Sequence, residues 1–332
     1  MTSSAELTAR TVDTASLPVV DVSGLRSADP AARAAVGRVL HEACVDKGFF
    51  SICGHGVEPE LVAAAFAEAR AFFALPLQEK RRVAMTKDDY GRGYEEIGGQ
   101  ALEPGAPPDL KEGYYLGREC RSDGTVPEGD AGAGFGPNKW PARPEFRKVL
   151  TEYHARLTEV AVLVMRGLAL SLDLPEDWFD GFCSEPNPTL RLLHYPPQPP
   201  NPRPGEKGAG AHTDWGGVTL LAQDGNGGLQ VFDEAQGWIH AAPIPGTFVV
   251  NLGDLMARWT NDLYRSTLHR VVNLSGADRY SMPFFFSGRP DAEIVTIPTC
   301  RRPGEPDKYP PTTPAQHTRE RQRETYELNL AG

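Results

Sequence analysis

The sequence predicts a mainly β protein with helices, in which a helical shell precedes a β core of sandwich, jelly-roll or barrel type. Three observations predict it. Short apolar segments punctuated by turn residues recur roughly every ten positions after Pro188, the rhythm of such cores. Segments with a 3.6-residue apolar period lie mostly ahead of them. Finally, Gly (34) and Pro (30) are abundant among the 332 residues, as a loop-rich chain of short strands requires.

The elements follow in order. Residues 1–15 are polar and read as a loose tail. Leu17–Val22 is a short buried strand. Ala31–Lys47 carries Val36, Val39, Leu40, Ala43 and Cys44 on one helical face, and Gly48 stops it. Phe49–Cys53 is a second strand, and Glu58–Phe73 a second helix ended by Leu75-Pro76. The stretch 88–144, rich in Gly, Pro and Asp, is irregular or weakly stranded. Glu145–Leu172 is the strongest helix, with Phe146, Val149, Leu150, Tyr153, Leu157, Val160, Val164 and Leu168 on one face. Strands then follow at Leu190–Tyr195, Val218–Gln223, Leu229–Phe232, Trp238–Ala241, Thr247–Leu252, Leu268–Leu274 and Tyr280–Phe286. Pro314–Leu328 is a charged outer helix. No clean linker separates helices from strands. The expected partition is a tail (1–15), an N-terminal region (16–186), a β core (187–290) and a C-terminal extension (291–332).

Bulk chemistry narrows the function. A net charge of −10 argues against nucleic acid, whose binders are basic. No apolar run is long enough to cross a membrane, and the start lacks the apolar stretch of a secretion signal. Five scattered cysteines without a C-x-x-C pair suit reduced thiols in the cytoplasm. A monomer or weak homo-oligomer acting on a small molecule is the expectation.

Of eight histidines, only His212 has a carboxylate two residues on, Asp214. On a strand, residues i and i+2 share a face, so one segment can aim an imidazole and a carboxylate at one point. Two His and one carboxylate with open positions form the usual cradle of non-haem Fe(II) oxygenases. The motif alone is short enough to arise by chance, and His269, 55 positions later in a predicted strand, supplies the third ligand. Ser275–Asp278 reads as a turn, which puts His269 and Arg279 in one hairpin and requires an odd loop or a bulge if both face inward. Arg279, with Ser281 beside it, suits a buried carboxylate. Gly225–Gly228 reads as a hairpin turn rather than a phosphate loop. On the last strand Phe285 alternates with its neighbours and is a candidate substrate contact, as is Arg191.

Several stretches together carry a family likeness: LPVVDVSGL, GFFSICGHGV (48–57), KEGYYLG (111–117), LRLLHYPP (190–197), AHTDWGGVTLLAQDGNGGLQVF (211–232), STLHRVV (266–272) and RYSMPFF (279–285). From about Leu17 to Tyr326 the chain resembles the Fe(II)/2-oxoglutarate-dependent oxygenases of the isopenicillin N synthase-like group. The resemblance implies a double-stranded β-helix (jelly-roll) core wrapped by the helical shell. It implies Fe(II) held by His212, Asp214 and His269, with 2-oxoglutarate as co-substrate and O2 as oxidant. It also implies that Arg279 and Ser281 bind the distal carboxylate of 2-oxoglutarate, helped by Tyr195. Many members have asparagine where this chain has Leu193. His55, in a variant of the family's N-H-G, is expected to be structural.

The expected reaction is hydroxylation, desaturation or cyclisation of a small molecule with release of succinate and CO2. An Ala-, Gly-, Pro- and Arg-rich composition suggests a role in specialised metabolism such as antibiotic biosynthesis. Two alternatives stay open: a same-fold Fe(II) oxidase that uses no 2-oxoglutarate, and a non-catalytic small-molecule binding protein.

Overall fold

A computed structural model describes residues 17–86, 91–103, 105–119 and 136–330; the expected tail over 1–15 and Cys120 lie outside them. Among the described residues twelve strands form two sheets. In chain order they are β1 (Val19–Asp21), β2 (Phe49–Cys53), β3 (Gly93–Glu95), β4 (Glu112–Gly117), β5 (Thr189–Tyr195) and β6 (Ala209–His212), then β7 (Val218–Gln223), β8 (Leu229–Asp233), β9 (Gly237–His240), β10 (Phe248–Leu252), β11 (His269–Val271) and β12 (Arg279–Phe286). The major sheet runs β1-β2-β10-β7-β12-β5-β4-β3 and the minor sheet β6-β11-β8-β9. All pairs are antiparallel except β1 with β2. This is the jelly-roll core, and β1 to β4, from the N-terminal half, extend its major sheet at both margins.

The helices start where the sequence signals them. Helix α1 (Pro30–Asp46) has Pro at its first position and the Asp29 carboxylate accepting from Ala31 N at 2.9 Å. Helices α2 (Pro59–Phe73) and α4 (Pro144–Ser171) also begin on proline; α3 (Leu77–Arg81) is a short turn between them, and α5 (Asp180–Cys183) another after them. The α4 stripe expected from the sequence is buried, from Phe146 to Leu168. It packs with α1, α2 and the outer face of the major sheet, represented by Leu190, Leu192, Leu220, Val250, Met282, Phe284 and Phe286. Each such side chain contributes about 1.5–3 kcal/mol by leaving water.

The inner face of the major sheet looks across at the minor sheet. A second apolar cluster lies there, including Leu193, Tyr195, Leu221, Val249, Leu229, Val231 and Val271. Because side chains alternate along a strand, the register puts Arg191, Leu193 and Tyr195 of β5, Thr219, Leu221 and Gln223 of β7, Asn251 of β10, and Arg279, Ser281 and Phe285 of β12 on this same face. Phe284 and Phe286 point the other way and are fully buried in the helical layer.

Two local expectations are corrected. His269 and Arg279 do not share a hairpin: β11 belongs to the minor sheet and β12 to the major one. The chain crosses between sheets over 272–278, so the parity constraint of a hairpin does not arise. Asn273 guides the crossing, its amide donating to Tyr195 O at 3.0 Å, Pro196 O at 3.1 Å and Ala277 O at 2.8 Å. Likewise Gly225–Gly228 joins β7 to β8 across the two sheets and is not a hairpin turn. The stretch 88–144 contributes β3 and β4, and helix α6 (Asp254–Trp259) and the small strand β6 were not anticipated. The terminal helix α7 spans Pro314–Leu330.

Candidate metal centre

Strand pairing brings the three candidate ligands together. Antiparallel β6 and β11 set His212 directly opposite His269, with ring centroids 4.3 Å apart. β6 ends at His212, so Asp214 does not share a strand with it and instead sits in the link to β7. From there Asp214 Oδ1 lies 3.9 Å from His212 Nε2 and 3.8 Å from His269 Nε2. One donor atom from each residue falls within 4.8 Å of the others.

Each donor is oriented from behind. His212 Nδ1 is 2.7 Å from Gly210 O and His269 Nδ1 is 3.1 Å from Thr267 O. A carbonyl can only accept, so each Nδ1 carries the proton and each Nε2 keeps its lone pair for a metal. Asp214 Oδ2 accepts from Thr219 Oγ1 and from Asn251 Nδ2, both at 2.6 Å, which leaves Oδ1 free. Burial alone would raise the Asp214 carboxyl, but His269, His212, Asn251 and Thr219 more than offset it and hold it below the ordinary range. Burial, assisted by His269, pushes His212 down from its usual value and favours the neutral ring. This donor set, one carboxylate and two imidazoles that converge within 4.8 Å, fits a divalent first-row metal and leaves coordination positions open for small ligands.

Asp254, in the first turn of α6, ties the segments that carry the donors. Its N–H donates to Asp214 O at 2.7 Å. Its carboxylate accepts from Thr213 Oγ1 at 3.1 Å and Ser266 Oγ at 2.6 Å, and pairs with Arg321 of α7 at 3.3 Å.

Arg279 is fully buried, 0% exposed. Its Nη1 donates to Ser281 Oγ at 3.2 Å, its Nη2 to Gln223 Oε1 at 3.0 Å and its Nε to Gly227 O, and its Cζ lies 4.8 Å from the Tyr195 ring centre. Gly228, at φ +100°, permits this approach: a Cβ there would lie 2.8 Å from Val272 O and 3.4 Å from Arg279 Cδ. Among the described residues no carboxylate forms an ion pair with Arg279. Burial lowers its pKa against the pull of Tyr195 and Asp224. A guanidinium sealed from water without an anion is costly, and a ligand carboxylate would relieve it.

Phe285 lies beside Thr219, the residue holding Asp214, and Arg191 Cζ is 4.8 Å from the Phe285 ring centre. Leu193 faces the inner core opposite Ser281. His55 is away from the centre: it accepts from Val57 N, meets Gly246 O and stacks on Phe248 at 4.3 Å. Cys183 and Cys300 are pushed up to about 12 and about 11, by burial above all, and take no part in the site. Sequence reasoning missed Thr219, Gln223, Asn251 and Asp254. The available signal was a polar residue inside an otherwise apolar strand, as in Phe248–Leu252, because such a group needs a buried partner.

A family model described as "2OG-Fe(II) oxygenase superfamily" matches residues 186–288, and one described as "non-haem dioxygenase in morphine synthesis N-terminal" matches 17–143. The 2-oxoglutarate-Fe(II) type oxidoreductase hxnY of Emericella nidulans is 43% identical over 93% of this chain and 90% of its own length. A full-length Neurospora crassa protein, solved in complex with alpha-KG and thymine, superimposes with a TM-score of 0.82 at 30% identity, over 93% of this chain and 97% of that one. JOX2 in complex with 2OG, Fe and JA gives a TM-score of 0.75 at 31% identity, over 92% and 84% of the two chains.

Proposed function

The chain belongs to the 2-oxoglutarate–Fe(II) oxygenase superfamily and is a 2-oxoglutarate- and Fe(II)-dependent dioxygenase, and from that premise we propose which residues do the work. His212, Asp214 and His269 hold the iron, Arg279 and Ser281 bind the distal carboxylate of 2-oxoglutarate, and Tyr195 lines that end of the pocket. The observation that carries this reading is a pair of features: three converging donors, and a buried guanidinium on the inner face of the major sheet lacking an anion. Family membership favours this form over a same-fold oxidase without 2-oxoglutarate and over a non-catalytic binder.

When bound, iron and 2-oxoglutarate supply the oxidation, in which O2 and the co-substrate give succinate and CO2 while a substrate C–H bond is oxidised. The chain's own residues position and protect. Gly210 O and Thr267 O fix the two imidazole tautomers. Asn251 and Thr219 hold Asp214 so that one oxygen faces the metal. Arg279 and Ser281 orient the co-substrate from its far end, and Leu193, Leu221, Val249 and Val231 keep bulk water away from it.

The Neurospora crassa protein is seen with thymine and JOX2 with JA, and we take this chain's substrate to be a small organic molecule, oxidised in specialised metabolism in the cytoplasm by a monomer or weak homo-oligomer. Residues 187–290 would carry the chemistry and 16–186 the shell. The test is succinate formation from 2-oxoglutarate by the purified protein, with Fe(II) and O2 present or withheld. Release that needs both, and that Asp214→Ala abolishes, is the expected result; full iron-dependent turnover by Asp214→Ala would sink the ligand assignment.

A further inference from the structure

The inner face carries a second cation without an anion. Arg191, on β5, lies between Tyr115 of β4 and Phe285 of β12, with Cζ 4.6 Å from the Tyr115 ring centre and 4.8 Å from that of Phe285. Its Nε is shielded and has no hydrogen-bond partner, while the residue as a whole remains partly exposed. No described residue forms an ion pair with it. Two carboxylates on this side are engaged elsewhere: Glu95 accepts from the Tyr115 hydroxyl, and Asp109 pairs with Lys111. A buried donor left unmet costs about 1–3 kcal/mol, and nothing in the helical layer explains keeping it.

Position ties Arg191 to the chemistry. It shares the inner face with Leu193 and Tyr195, and it stacks on Phe285, whose cross-strand neighbour Thr219 holds Asp214. The guanidinium is thus one side chain removed from a residue that orients a metal ligand. Its chemistry limits what it can take. Rings lie against it from both flanking strands, which leaves its N–H donors as the groups a ligand can use. An edge of parallel N–H groups matches a planar pair of oxygens, which is the geometry of a carboxylate.

We propose that Arg191, held by Tyr115 and Phe285, is the substrate-specificity residue, and that the substrate is a small carboxylic acid bound through its carboxylate at this edge. The inference rests on the reading in which Arg279 is already engaged by 2-oxoglutarate, so that the two arginines serve two different acids. Flat or apolar groups attached to that carboxylate would lie along Phe285.

The test is binding, measured without turnover. The protein is loaded with Mn(II) and 2-oxoglutarate and titrated calorimetrically with phenylacetate, 4-hydroxybenzoate and cyclohexanecarboxylate, each against its primary amide. At least one acid is expected to bind wild type ten times more tightly than its amide, a difference of about 1.4 kcal/mol. Arg191→Gln should erase that preference, and Arg191→Lys, which keeps the charge but loses the planar fork, should restore only part of it. Thermal unfolding of each variant checks that it folds. No acid preference in wild type, or an undiminished one in folded Arg191→Gln, overturns the proposal. If 2-oxoglutarate itself fails to bind wild type, the functional reading falls first; if it binds and acids are not preferred, only the role of Arg191 falls.

Discussion

Asn251 donates its side-chain amide to Asp214 Oδ2 at 2.6 Å, from the strand next to the one that carries Thr219, the other donor to the same oxygen. The carboxylate is therefore fixed on the oxygen that faces away from the imidazoles, and its rotation about the Cβ–Cγ bond is blocked. Asn251→Ala should weaken Fe(II) or Mn(II) binding by about 10–100-fold, the usual effect of losing a hydrogen bond behind a metal ligand. Titration of the apoprotein with metal reads this directly. An unchanged affinity would mean that Thr219 alone suffices.

Arg279 bears on the co-substrate in a way that stability can report. Ligand bound to the folded state raises the melting temperature, by an amount that grows with the logarithm of its affinity. Wild type loaded with Mn(II) should be stabilised by 2-oxoglutarate. Arg279→Gln should lose most of that shift, since a hydrogen-bonded charge pair in a buried site is worth on the order of 3 kcal/mol. Differential scanning calorimetry with and without 2-oxoglutarate makes the comparison. An equal shift in both proteins would assign the arginine to another ligand.

Asp254 joins Thr213, Ser266 and the backbone of Asp214. Asp254→Ala frees the segments on either side of the metal ligands without touching a ligand, so metal affinity should fall by about tenfold while the circular dichroism spectrum stays native. Asp254→Asn retains one acceptor oxygen and should recover part of the loss. If alanine and asparagine behave alike, the carboxylate is not what positions these segments.

His194 sits between Glu112 at 2.8 Å and Asp278 at 2.9 Å, immediately before Tyr195 and across from the crossing that leads to Arg279. Burial alone would lower its pKa, but the two carboxylates more than offset it, so the folded value is raised. A raised value means that the stabilisation is complete below the unfolded pKa, about 6.5, and is lost as pH climbs through the folded one. His194→Gln should cost on the order of 1–2 kcal/mol in urea unfolding at pH 6, with the gap to wild type narrowing on the alkaline side. A gap independent of pH would point to ring packing on Tyr280, 4.8 Å away, rather than charge.

Much of this was legible because the local signals were strong. The α4 stripe, the proline starts and the alternating Phe284-Phe285-Phe286 came through as read. His212, Asp214 and His269 were found from residue type and spacing, yet what unites them is the cross-strand register of β6 with β11, which no local pattern reveals. The hairpin between His269 and Arg279 was misread for the same reason. Ser275-Gly276 has the composition of a tight turn, while the deciding contacts are those of Asn273 to Tyr195 O and Pro196 O, more than seventy residues away in sequence. Strand β4 hid because every residue in it is buried, so it shows no alternation. Strand β6 hid because Ala-Gly-Ala has no β-branched side chain to mark it.

The two imidazoles hang from the minor sheet, whereas Arg191 and Tyr115 belong to strands near the opposite margin of the major one. Mutation can therefore rework that margin, changing which molecules are admitted, while the two imidazoles are left as they stand. Selection for a new diet can act on one sheet while the imidazoles stay on the other, and a lineage built this way can diversify its targets without first losing its metal.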